Sequence, residues 1–78
     1  MAVVQSVHRA FAILRALSSG PLGVTEVSQR VGLPKSTVAR LLAALDEEGA
    51  VRQNQAAGRY SLDDGLLDLA GEISGNRN

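Results

Sequence analysis

Four side chains near the middle of this 78-residue chain hold most of its capacity for directed polar contact: Lys35, Ser36, Thr37 and Arg40. A cation, two hydroxyls and an arginine three residues on can donate to anionic oxygens. The arginine can also grip the paired acceptors on a guanine edge. Such a set binds; it does not break bonds. The remaining inventory agrees, with one histidine (His8), no cysteine and no glycine-rich phosphate loop, and with no acids grouped in an expected pocket. No catalytic residue, metal ligand or cofactor is expected, since a lone histidine supplies too few ligands for a metal.

Positioning that set is the task of residues 24–45, VTEVSQRVGLPKSTVARLLAAL. Proline is tolerated best at the first helical position, so Pro34 predicts a helix that starts there and runs to Glu48. Val38, Leu41, Leu42 and Leu45 recur at i, i+3, i+4 and i+7, one apolar stripe that must face a core. Lys35, Ser36, Thr37, Ala39, Arg40 and Ala43 are thereby turned outward, and the small alanines let this face sink into a groove. A shorter helix precedes it. Thr25 is its expected N-cap and a candidate polar contact, and Glu26 suits the positive end of the helix dipole. Val27 and Val31 share its inner face, Gly32 is suited to a left-handed terminus, and Leu33 fills the corner. Two short helices about a tight turn make a helix-turn-helix.

Ahead of this unit, Ser6 can cap a helix reaching about Ser18, where Gly20-Pro21 stops it. Val7, Ala10, Phe11, Ile13, Leu14 and Leu17 leave only a thin polar strip of His8, Arg9 and Arg15, an apolar face wider than one core contact requires. Part of it is expected either in the core or against a second protomer. Residues 20–24 read as a linker, and Arg30, four after Glu26, is placed for an intrahelical ion pair. Beyond the central unit, Asp46-Glu47-Glu48 form a solvated acidic run that Gly49 closes. Residues 51–54 and 59–62 are strand-like and joined by a loop of hairpin length, Gln55-Ala56-Ala57-Gly58. Alternation turns Val51, Tyr60 and Leu62 inward and Arg52, Arg59 and Ser61 outward. Arg59 beside the tip is the favoured contact, while the tip alanines offer no chemistry for reading bases. Asp63 or Asp64 can cap a last helix striped by Leu62, Leu66, Leu69 and Ile73. The expected core is Phe11, Leu14, Val27, Val31, Leu33, Val38, Leu41, Leu42, Leu45, Val51, Tyr60 and Leu62.

The formal charge is zero, an objection to any nucleic-acid partner, but its distribution answers the objection. Residues 1–45 carry five cations against Glu26 alone, whereas residues 46–78 carry three against seven acids. A basic face can therefore meet phosphates under a neutral total. The absence of cysteine fits a reducing compartment, and the N-terminus MAVVQSV has neither a basic leader nor a long apolar run. A cytoplasmic location is expected. A single domain of this size is marginal by itself, which favours a partner surface.

Three blocks, QSVHRAFAIL, GLPKSTVARLLAALDEEGAV and GRYSLDDGLLDLAGEI, together resemble the IclR-type transcriptional regulators over nearly the whole chain. The resemblance implies a mainly α fold: a three-helix winged helix-turn-helix with a two-stranded β-hairpin wing and a C-terminal linker helix. Residues 1–62 would form the DNA-binding domain, and residues 63–78 the linker helix and a polar tail. The larger effector-binding domain of the family has no counterpart in these residues, as expected of either an excised fragment or a naturally short relative. The implied function is sequence-specific binding of double-stranded DNA, with helix 34–48 in the major groove and the wing on the backbone. Its contacts would come from Thr25, Lys35, Ser36, Thr37, Ala39, Arg40, Arg52 and Arg59. A homodimer through the first and last helices is expected, with no small-molecule site and no membrane association. The alternative is a winged helix that docks a protein, against which stands the lack of an aromatic or long apolar anchor on the outward face of helix 34–48.

Overall fold

The computed structural model describes residues 2–76, with side chains from 4 to 72. Helices α1 (Ala2–Leu17), α2 (Val24–Val31) and α3 (Lys35–Glu47) are followed by strands β1 (Val51–Asn54) and β2 (Arg59–Leu62), then by helix α4 (Asp64–Asn76). The strands pair antiparallel, Val51 opposite Leu62 and Asn54 opposite Arg59. The fold is thus mainly helical with a two-stranded wing. Asn54 builds the wing tip, its Oδ1 accepting from the amides of Ala56 at 3.0 Å and Ala57 at 3.2 Å.

Ile13 and Leu17 of α1, Leu22, Val27 of α2, Val38 and Leu42 of α3, Ala50, and Val51 of β1 form the buried core. Leu14, Val31, Leu33, Leu41, Leu45, Tyr60 and Leu62 pack around it half-buried. Phe11, expected inside, is 53% exposed. α1 presents Ile13 and Leu17 to the core, and the opposite face, carrying Val4, Val7 and Phe11, is left over. Leu22 was expected in a linker but forms an isolated bridge with Tyr60: each amide donates to the other's carbonyl, at 3.0 and 2.8 Å. The segment after α1 thereby satisfies its backbone on the free edge of β2 and buries its leucine.

Several termini differ from expectation. α1 begins at Ala2, so Ser6 lies inside it rather than capping it. Gly23, not Thr25, is the N-cap of α2, and Glu26 turns back to accept the Gly23 amide at 2.9 Å. The expected pair between Glu26 and Arg30 is not formed, and Arg30 donates instead to the Ser19 hydroxyl at 2.9 Å. Pro34 is the N-cap of α3 rather than its first residue. The turn between α2 and α3 does close through a left-handed Gly32 (φ 71°), and Ser28 Oγ donates to the carbonyl of Leu33.

α3 ends in a Schellman motif. The Ala50 amide donates to the Leu45 carbonyl at 2.9 Å and that of Gly49 (φ 78°) to Asp46 at 3.0 Å. α4 crosses this turn closely. A Cβ on Gly65 would overlap the Gly49 carbonyl oxygen and come within 3.0 Å of the carbonyl carbon. Leu66 packs on the core, but Leu67 and Leu69 are exposed, so the expected stripe leaves the domain after one turn. The side chain of Ile73 lies outside the described residues.

Candidate nucleic-acid interface

The amides of Lys35, Ser36 and Thr37 precede the first intrahelical bond of α3, from the Val38 amide to the Pro34 carbonyl at 3.0 Å, and no side chain caps them. Orphan amides at the positive end of a helix dipole favour an anion. Because Val38 and Leu42 are fully buried, the opposite face of α3 is turned outward, with Lys35, Ser36, Ala39, Arg40 and Ala43 exposed. Thr37 is half-buried at the edge of this face.

Thr37 and Arg40 share a cleft of about 310 Å³ with Leu41 and with Ser6 and Arg9 of α1. Packing of α1 against α3 thus brings a further cation, Arg9, to the rim of the outward face. Sequence reasoning missed it. The available signal was its place on the narrow polar strip of an otherwise apolar helix, which fixes the direction in which the arginine points. The acids Asp46 and Glu47 lie about three turns further along α3, roughly 17 Å from Lys35 at the helical rise.

On the wing, the register sets Arg52 opposite Ser61 and Asn54 opposite Arg59, so alternation gives these four residues one face. With Pro21, Gln53 and Ala57 they line an open cleft of about 450 Å³. Arg52 and Arg59 are both exposed, and Arg52 Nη1 also lies 3.7 Å from Asp63 Oδ1. This is the one ion pair among the described residues, so Arg9, Lys35, Arg40 and Arg59 have no acidic partner there. The expected residues fall into two groups, Thr37 and Arg40 in the α1–α3 cleft and Arg52 and Arg59 in the wing cleft, with Lys35, Ser36 and Ala39 exposed on α3 beside the first. Thr25 is exposed on the first turn of α2 and lines neither cleft.

The model of the IclR helix-turn-helix domain matches residues 6–55. The chain is 43% identical over 68 residues to a glycerol operon regulatory protein of Streptomyces coelicolor, covering 85% of this chain and 27% of that protein. Against the transcriptional repressor IclR of Escherichia coli it is 39% identical over 61 residues, 76% of this chain and 22% of the repressor. Among solved structures, an IclR family transcriptional regulator from Brucella abortus superposes with a TM-score of 0.81 at 35% identity, over 88% of this chain and 27% of that one. A regulator from Alicyclobacillus acidocaldarius gives 0.82 at 32% identity, over 88% and 29%. The chain thus spans about a quarter of the length of the curated relatives it matches. A helix-turn-helix domain matched over most of the chain, at this identity and with this superposition, places the chain in the IclR family.

Proposed function

We propose that the chain binds double-stranded DNA sequence-specifically as a bacterial transcriptional regulator, residues 34–48 entering the major groove and the wing, residues 51–62, following the backbone. The observation that carries this reading is the outward face of α3, where Lys35 and Arg40, without an acidic partner among the described residues, stand beside two hydroxyls and three uncapped amides. Arg9 adds charge from α1, and Arg52 and Arg59 add it from the wing. In this division Arg40 reads a base or the phosphate flanking it, and Ser36 and Thr37 donate near the helix start. Lys35, Arg9 and Arg59 hold phosphates. The relatives named as regulators of transcription support the same role. Nothing in this reading calls for catalysis.

The exposed apolar face of α1, Val4, Val7 and Phe11 at spacings of three and four, supports a homodimer formed through α1 with help from α4. Two copies would present two reading helices to half-sites about one helical turn apart. Enrichment of bound duplexes from a random-sequence pool tests the whole proposal. One recurring, two-fold-related sequence is expected. Retention without enrichment that does not respond to salt would contradict it and favour the docking of a protein partner.

A further inference from the structure

Asp63 stands where the wing passes into α4 and is held there by backbone and side chain together. Its amide donates to the Ala50 carbonyl at 2.9 Å, its carbonyl accepts from Leu66 at 3.1 Å, and its Oδ1 accepts the Asp64 amide at 2.7 Å. The same Oδ1 faces Arg52 Nη1 at 3.7 Å, the Asp63 side chain being 30% exposed and that of Arg52 63%. Arg52 pairs across the ladder with Ser61, two residues before Asp63, so the carboxylate meets the guanidinium along the outer face of the wing. That is the face on which Arg52 and Arg59 line one cleft. A carboxylate oxygen and a phosphate oxygen offer a guanidinium the same kind of acceptor.

We propose that Asp63 is a positioning residue that stands in for a DNA phosphate. It holds Arg52 at the root of the wing while the protein is free and gives it up when Arg52 turns to the backbone of a bound duplex. The inference rests on the DNA-binding reading above. Its consequence is that Asp63 lowers affinity by occupying Arg52, and that the first turn of α4, which uses the same oxygen, is linked to occupancy of the wing. Linkage is reciprocal: whatever pulls Asp63 away from Arg52 strengthens binding, and bound DNA loosens Asp63.

The test is a double-mutant cycle on the full chain, titrated against a random-sequence duplex of about 30 base pairs at low salt, a length that exceeds one helical turn several-fold. Asp63→Asn removes the charge and keeps a good N-cap, so folding is preserved, which a thermal melt verifies. For an exposed pair, Asp63→Asn should tighten binding by about two- to fivefold. With Arg52→Gln already in place, that gain should fall to less than half. Asp63→Glu, which retains the charge, should stay near the parent. An equal gain in both backgrounds would mean that Asp63 acts only as a general negative charge and would overturn the proposal. No gain with Arg52 intact, or unchanged affinity in Arg52→Gln, would overturn it too, leaving the α3 reading to its own titration. If the parent binds no duplex at all, the DNA-binding reading itself fails and takes the proposal with it.

Discussion

Lys35 and Arg40 differ in what their heads can do. An ammonium is a point charge, whereas a guanidinium is a planar fork that matches two acceptors at once. Lys35→Ala should therefore weaken all duplexes alike and reduce the log–log salt slope by about one unit, because one fewer counterion is released. Arg40→Ala should concentrate its loss on one base position, about 1–3 kcal/mol there, with random DNA much less affected. Arg9→Ala should resemble Lys35→Ala, since the cleft sets Arg9 at the edge of the α3 face; anisotropy titrations across a salt series distinguish the two patterns. None of the three is buried in a polar network, so chemical denaturation should place each within about 0.5 kcal/mol of the parent. The cations and hydroxyls of α3 were visible in the sequence because Pro34 and the leucine stripe fix their direction. Arg9 was legible only in its direction on the polar strip of α1, since its place beside Thr37 and Arg40 depends on where α1 packs. The Glu26–Arg30 spacing misled for a related reason: the orphan Gly23 amide and the Ser19 hydroxyl lie closer to hand, and intrahelical spacing does not report them.

Among the elements, α3 is held on three sides, with Val38 and Leu42 fully buried and the helix packed against α1, α2 and β1. Leu42→Ala should cost about 2–5 kcal/mol in urea unfolding, and Phe11→Ala under about 1 kcal/mol, since the ring is 53% exposed. If Phe11→Ala proved as costly as Leu42→Ala under monomeric conditions, the assignment of α1 faces would be wrong. The two glycines at the α3–α4 crossing set a second constraint. Gly65→Ala places a methyl against the Gly49 backbone, which cannot yield as a side-chain tip would, so α4 must shift. The expected result is faster hydrogen exchange in the first turn of α4 with little change in the core of α3. Helix number, the turn at Gly32 and both strands could be read from period and punctuation alone. Leu22 could not, because its partner Tyr60 lies across the fold and its neighbours Pro21 and Gly23 mark it as a loop. The faces of α1 were ambiguous because apolar residues run almost all round it, and the structure resolves this by giving the core to Ile13 and Leu17.

Over the whole molecule, a neutral total is divided into a cationic first half and an acidic second half, and the fold keeps the cations of α1 and α3 clear of acidic partners among the described residues. No described helix is long and apolar enough to cross a membrane. The exposed apolar residues Val4, Val7 and Phe11 lie on α1, not on the outward face of α3, so the surface proposed for a second copy differs from the one proposed for DNA. Sedimentation should show a concentration-dependent dimer that Phe11→Arg weakens while binding of a single half-site is retained; a strict monomer at high concentration would contradict it. The proposed reading element is the outward face of α3. Its most direct test is titration of the parent and of Lys35→Ala, Ser36→Ala, Thr37→Ala and Arg40→Ala against the enriched duplex and a scrambled one. Arg40→Ala should lose most of the preference between the two duplexes, and Lys35→Ala should weaken both equally. If all four variants bound the enriched duplex as tightly as the parent, α3 would not be the reading element.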